Sequence, residues 1–288
     1  MASHAKEGWM DTKWAGPFRL EEELGAGGMG VVYRGVHRDT GQDVALKMLA
    51  EEQALEASKR RAFHREVEAQ AGLVHPNIVY LFDYGETDGE APFVAMERAQ
   101  FSLGERMPFE RWSDVREALG AVISGLAHAH SRGVIHRDLK PENVLCFEGG
   151  QMKLADFGLA HPMESAPLRS QDELSGMAGT PLYMPPEQLR GQWRRYGPWT
   201  DIYSLGVMVY EMVCGRPPFE APAMWGVLIK HCDEPRPSLT PLFDTPPGLE
   251  EWIHRAMAVE IGERFQSAAE ALRELPGEGT AQGGVEVL

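Results

Sequence analysis

Long apolar runs are missing from this chain: no stretch approaches the ~18 apolar residues expected of a membrane-spanning helix. The opening residues M-A-S-H-A-K-E-G-W-M also lack the apolar core of a signal peptide. Cysteine is scarce. Cys146, Cys214 and Cys232 are odd in number, widely spaced and without a C-x-x-C pair, which excludes a disulfide framework and gives zinc no support. Two of them sit in the apolar surroundings of buried free thiols, which fits a reducing compartment. Positive charge is in deficit: 28 Lys and Arg against 43 Asp and Glu leave a net charge of -15. That balance argues against a general nucleic-acid binder, because phosphate contacts need clustered cations. His128, His130 and His136 lie close together but have no second ligand cluster, so they read as packing or hydrogen-bonding residues. The absences together predict a soluble, cytoplasmic chain with no nucleic-acid partner and no membrane segment of its own.

What is present is ample material for a core. The 288 residues are 43% hydrophobic and 25% charged, enough for one large domain or two closely joined lobes. From Phe18 the pattern is strand-like, F-R-L-E-E-E-L-G, then V-V-Y-R-G-V-H, then Q-D-V-A-L-K-M-L, separated by glycine-rich and Asp-Thr-Gly turns. The first turn spans Leu24, Gly25, Ala26, Gly27, Gly28, Met29 and Gly30 and runs into Val31, Val32 and Tyr33. Its glycines let the backbone bend over a nucleotide with N–H groups facing phosphate oxygens. A dinucleotide-binding turn would lead from strand to helix, whereas this one leads from strand to strand. Strand alternation puts Ala45 and Lys47 on one face, a small residue beside an ammonium.

A polar helical run follows from Glu52 to Leu73, in which Glu66 and Glu68 both precede the His75-Pro76-Asn77 turn. Two residues along a helix are about 200° apart, so only one of them can face Lys47. Ile78 to Tyr84 and Phe93 to Met96 read as two further strands, giving a five-stranded sheet that ends at Met96, Glu97, Arg98 and Ala99. The chain then turns helical, with Val115, Leu119, Val122, Ile123 and Leu126 at helical spacing.

Residues 134–158 carry two polar knots, His136-Arg137-Asp138-Leu139-Lys140-Pro141-Glu142-Asn143 and Asp156-Phe157-Gly158. Between them lie the apolar runs of a buried hairpin, Asn143 to Cys146 with Leu145 inside it, and Met152 to Leu154. Two carboxylates, an amide and an ammonium are thereby aimed at one place. Phosphoryl transfer needs a carboxylate near the attacking hydroxyl, oxygen ligands for Mg²⁺ and cations on the phosphates. Here the sequence resembles the eukaryotic-type serine/threonine protein kinases, in the form found in bacteria; the Lys140-Pro141-Glu142 continuation is similar to the serine/threonine branch.

The resemblance implies an α+β, bilobal fold: a five-stranded antiparallel N-lobe with one helix, and a mainly helical C-lobe. Its implied bounds are a tail over 1–16, the N-lobe over 17–96, the hinge and C-lobe over 97–276, and a tail over 277–288. It implies ATP and Mg²⁺, or Mn²⁺, as cofactors and proteins with Ser or Thr acceptors as partners. Asp138, Lys140, Lys47 and Glu66 become the catalytic set, and Asn143 and Asp156 the metal ligands. Leu24 to Gly30, Val32, Ala45, Lys47, Met96, Glu97, Ala99 and Leu145 become the nucleotide pocket. Glu66, rather than Glu68, is the implied partner of Lys47.

Residues 158–187 show no regular pattern, longer than the ~12 to 15 residues of an ordinary loop. They resemble the later part of an activation segment spanning 156–187 and ending in Gly179-Thr180-Pro181-Leu182-Tyr183-Met184-Pro185-Pro186-Glu187. Pro185 departs from the family's usual alanine, while Glu187 keeps an implied arginine partner in Arg264. The resemblance further implies that Arg137 receives a phosphorylated segment, with Ser170 and Ser175 ahead of Ser165 as acceptors, and self-association for phosphorylation in trans. Asp201 is expected to cap the apolar helix that it opens and to hold the catalytic-loop backbone. Arg190, Arg194 and Arg195 read as solvated surface. A binding module on a dead kinase fold would lack the lysine or one of the aspartates, and none is missing. A small-molecule kinase generally lacks the long segment and its Gly-Thr-Pro-x-Tyr stretch.

Overall fold

The structure, a computed structural model, describes residues 14–27, 30–89, 91–157 and 181–277. Its first half is a six-stranded antiparallel sheet: β1 (Trp14–Ala15), β2 (Phe18–Gly27), β3 (Gly30–His37), β4 (Asp43–Met48), β5 (Leu81–Glu86) and β6 (Pro92–Met96), in the order β1-β2-β3-β4-β6-β5. Alternation along β4 gives the sheet two different faces. Val44, Leu46 and Met48 pack with Ala15, Phe18, Phe93 and Ala95 on one side. Ala45 and Leu49 join Phe63, Val67, Val94 and Met96 on the other. That second face receives α2 (Ala57–Ala71), which buries Phe63, Glu66, Val67 and Gln70, one stripe at helical spacing. A short α1 (Glu51–Ala54) precedes it.

This sheet-rich half departs from the sequence expectations at three places. The sheet has six strands rather than five, because the left-handed Gly16 (φ 55°) turns the chain so that Ala15 pairs with Phe18 and is fully buried. A two-residue strand is too short to show a period. The expected strand from Ile78 to Tyr84 begins only at Leu81, because Ile78 bridges Leu154 and the Val79 N–H donates to the Leu154 carbonyl at 2.9 Å. Those two residues stitch the sheet to the other lobe instead. The single helical run from Glu52 to Leu73 is two helices, separated at Leu55 and Glu56.

A three-stranded sheet at the lobe junction, β7 (Phe101–Ser102), β8 (Val144–Cys146) and β9 (Met152–Leu154), carries the buried hairpin. The remainder is helical: α3 (Leu103–Arg106), α4 (Trp112–Ser131), α5 (Pro186–Leu189), α6 (Pro198–Cys214), α7 (Met224–Asp233), α8 (Leu249–Ala256) and α9 (Ala268–Arg273). Apolar on nearly all sides, α6 runs through the middle of this lobe, with Ile202, Leu205, Val207, Met208, Val209 and Met212 fully buried. Gly206 admits α8 closely, since a Cβ there would sit 2.7 Å from Met257 Cγ. Pro198 opens α6 and the left-handed Gly215 (φ 68°) closes it. Asp201 is not the cap expected of it: the Gly197 N–H donates to Thr200 Oγ1 at 3.1 Å, and the Asp201 carboxylate is used elsewhere. Among the described residues no helix is long and apolar enough to cross a membrane.

Candidate active site

Lys47 sits on the α2 face of β4, near its end, and its ammonium lies between two carboxylates. Nζ donates to Glu66 Oε1 at 2.9 Å and to Asp156 Oδ1 at 2.8 Å. Glu66 is buried on α2, whereas Glu68 is exposed. Burial alone would lower the Lys47 pKa, but the charges of Asp156 and Glu66 outweigh it and hold the ammonium above the ordinary lysine value. Burial pushes the Glu66 carboxyl up, opposed by Lys47 and reinforced by Asp156. Asp156 goes the other way: burial would raise it, but Lys47 and His136 keep it below the usual carboxylate range. One cation thus serves two acids. Removing either partner of such a buried pair typically costs about 3–5 kcal/mol.

The loop that presents Asp138 is shaped by Asp201 on α6. Asp201 is fully buried; its Oδ2 accepts from the His136 N–H at 2.8 Å and from His130 Nε2 at 2.7 Å, and its Oδ1 accepts from the Arg137 N–H at 2.8 Å. Arg137 adopts φ 67° and Asp156 φ 55°, conformations that cost non-glycine residues about 1–3 kcal/mol each and persist only where the surroundings hold them. Gln188 Nε2 adds a bond to the Arg137 carbonyl at 3.1 Å. The buried His136 ring stacks on Phe157, centroids 4.7 Å apart, and bonds the Ala155 carbonyl through Nε2 at 3.0 Å. The residue before Asp156 and the residue after it are therefore both fixed by one imidazole.

Asp138 itself is half-exposed at the cleft. Its Oδ2 accepts from Lys140 Nζ at 2.7 Å and from Asn143 Nδ2 at 3.0 Å, and its carbonyl takes a second Asn143 bond at 2.7 Å. Asn143 commits its amide nitrogen to Asp138 and Asp156 commits Oδ1 to Lys47; among the described residues the Asn143 amide oxygen and Asp156 Oδ2 have no partner. These are hard oxygen donors of the type Mg²⁺ takes. Among the described residues no group of three or more His, Cys, Asp or Glu forms a metal cage, so a cation held here depends on phosphate and water oxygens as well.

Val32, Ala45, Met96 and Leu145 fall into one apolar cluster at the lobe junction, Ala45 and Met96 pairing across the sheet. Past Met96, the Glu97 N–H donates to the Tyr80 carbonyl at 3.1 Å. Among the described residues the Glu97 carbonyl and the Ala99 N–H have no partner. Gly25, Ala26 and Gly27 pair with Val32, Val31 and Gly30 in the β2–β3 hairpin. Gly30 (φ 144°) must be glycine, because a Cβ would fall 1.9 Å from the Met48 carbonyl oxygen. Leu24 is half-exposed on β2 and stands outside the cluster. Gly28, Met29, Gly158, Ser165, Ser170 and Ser175 lie outside the described residues, as does most of the segment 156–187.

Below the cleft, Glu187 and Arg264 form a buried two-armed ion pair, 2.9 Å in each arm. Arg264 also donates to the carbonyls of Ala258, Val259 and Trp199 and lies over the Tyr203 ring. Sequence reasoning missed several supports: His130 on Asp201, Gln188 on Arg137, Tyr183 on Glu211, and Lys153 on Glu97. Only His130 left a signal, as one of the closely spaced histidines His128, His130 and His136.

A strand lysine shared by a helix glutamate and a cleft aspartate, between a sheet lobe and a helical lobe, is protein kinase architecture. The chain belongs to the protein kinase domain family, whose sequence profile matches residues 18–253. It is similar to PknA, a serine/threonine-protein kinase of Mycobacterium tuberculosis, with 34% identity over 277 residues that cover 90% of this chain and 62% of PknA. A probable serine/threonine-protein kinase of Corynebacterium efficiens is 32% identical over 271 residues, covering 90% of this chain and 40% of that protein. The chain therefore spans 40% to 62% of the length of these curated relatives. The crystal structure of the Mycobacterium tuberculosis PknI kinase domain shares the fold, with TM-score 0.67 and 27% identity over 91% of this chain and 96% of that one.

Proposed function

We propose that the chain transfers the γ-phosphoryl group of ATP to serine or threonine hydroxyls of proteins, in the cytoplasm. One observation carries the reading: Asp138 is held by Lys140 and Asn143 while Lys47 joins Glu66 to Asp156. Asp138 orients the acceptor hydroxyl and takes its proton as the oxygen attacks. Lys140, already on Asp138, steadies the γ-phosphate. Lys47, fixed in direction by Glu66, binds the other phosphates; an oriented ammonium does so better than a swinging one. The adenine edge meets the Glu97 carbonyl and Ala99 N–H, with Val32, Ala45, Met96 and Leu145 as apolar walls.

Asn143 and Asp156 would hold Mg²⁺, or Mn²⁺, which would supply charge neutralisation on the phosphate oxygens. Arg137 has a half-buried guanidinium whose Nε meets no partner among the described residues. It receives a phosphoserine from Ser170 or Ser175, added by a second copy of the chain, each phosphate bringing about -1.5 to -2 charges. The test is incubation with ATP and Mg²⁺ beside a generic protein acceptor and a panel of small alcohols. Label on protein serine and threonine is expected; label on the alcohols alone, or none anywhere, refutes the reading.

A further inference from the structure

Two adjacent hinge side chains are each tied to residues far from them in sequence. Glu97 Oε1 accepts from the Tyr80 N–H at 2.7 Å, and Oε2 accepts from Lys153 Nζ. Lys153 stands on β9 opposite Leu145, largely buried, with its ammonium 5.0 Å from the centre of the Phe147 ring. Arg98, the next residue, donates through Nε to Asp43 Oδ2 at 2.5 Å. Asp43 opens β4, and its other oxygen accepts from Arg34 Nε on β3 at 2.8 Å. Burial would raise the Asp43 carboxyl, but Arg34 and Arg98 keep it below its usual range, so it stays charged at neutral pH.

The hinge is thus held through Glu97 both to β9 across the lobe junction and to Tyr80 at the sheet, and through Arg98 to β4. The two backbone groups without partners among the described residues, the Glu97 carbonyl and the Ala99 N–H, lie on either side of Arg98. We infer that Lys153 and Asp43 are positioning residues for nucleotide binding: they hold the hinge backbone in its binding shape although neither touches the nucleotide. The inference rests on the proposed placement of adenine against Glu97 and Ala99. A hinge free to sample other dihedral angles must lose that freedom when the nucleotide arrives, whereas a hinge already fixed does not. The effect therefore falls on affinity and leaves the chemical step alone.

The experiment compares Lys153→Met, Asp43→Asn and the double variant with Lys153→Arg and Asp43→Glu, each at a temperature where circular dichroism shows it folded. ADP binding by calorimetry is measured beside KM for ATP and kcat. Lys153→Met is expected to weaken ADP and raise KM for ATP about 3- to 10-fold, and the more exposed Asp43→Asn about 2- to 4-fold, with kcat at saturating ATP within about twofold. Lys153→Arg restores most of the loss. Lowered melting temperatures with unchanged ADP affinity would overturn the inference by making the ties structural only. Ala99→Pro, which removes the hinge N–H, separates the two readings. If it leaves ADP affinity unchanged, the placement of adenine itself is wrong; if it weakens ADP while the Lys153 and Asp43 variants do not, only the positioning role fails.

Discussion

Asp201→Asn tests how the loop that presents Asp138 is held. The exchange keeps size and shape but removes the charge and turns one acceptor into a donor. Wild-type Asp201 receives three bonds, from the His136 and Arg137 N–H groups and from His130 Nε2. Whichever way the amide points, at least one of these N–H groups then faces an NH₂. Losing one bond to a charged group removes about 1.5–3 kcal/mol, and a buried donor left unpaired adds about 1–3 kcal/mol. A net loss of about 3 kcal/mol is expected, limited by relaxation of Arg137 out of its φ of 67°. That relaxation moves Asp138, and a misplacement of about 1 Å costs on the order of 10²-fold in rate. Urea unfolding reads the first effect as a lower midpoint at unchanged slope, and steady-state kinetics read the second as a lower kcat.

The variant also changes the response to acid. Burial would raise the Asp201 carboxyl, but His130, His136 and the Arg137 N–H hold it below its ordinary value. Its contribution is complete above the unfolded pKa of about 3.9 and is lost as pH falls through the lower folded value. Asp201→Asn should therefore show a flatter stability curve below about pH 4. An Asn variant with wild-type midpoint and wild-type kcat would refute the view that Asp201 holds the loop.

Arg264→Met leaves Glu187 buried without its cation and should cost about 3–5 kcal/mol in chemical unfolding; the joint replacement of both residues by apolar side chains should cost less. His231 is buried against Tyr203 and Phe219, and burial with the Arg236 charge pushes its imidazole down to about 3. Below an unfolded pKa of about 6.5 only the unfolded chain takes up this proton, so stability falls by about 2 kcal/mol between pH 7 and pH 5. A His231→Asn variant should lose that part of the slope and keep only what His136, His75 and His128, which burial also holds below the ordinary imidazole value, contribute. Glu66→Gln should lower kcat/KM by at least tenfold, whereas the exposed Glu68→Gln should leave it within about twofold; equal effects would mean that Lys47 is not directed by Glu66.

The parts of the fold legible in the sequence are those where a backbone demand and a chemical demand coincide. Gly30 is required both by its φ and by the Met48 carbonyl behind it, and it stands in a turn between two strands of clear alternation. The apolar run of α6 announces a central helix because no face of it meets water. Elsewhere one of the two signals is missing. Trp14–Ala15 is too short to carry a period, and Ile78 looks like a strand start but spends its bridge on Leu154 across the lobe junction. The ties of Lys153 to Glu97 and of Arg98 to Asp43 join residues far apart in sequence through long, flexible side chains. Nothing in the sequence pairs these charges until the strands are placed.

The most direct measurement is single-turnover transfer of labelled γ-phosphate from ATP to a protein serine, by the wild-type chain and by Asp138→Asn at equal nucleotide occupancy. The assignment predicts that the variant binds ADP normally and transfers at least ~10² times more slowly. Transfer at the wild-type rate would contradict it and remove Asp138 from the chemistry.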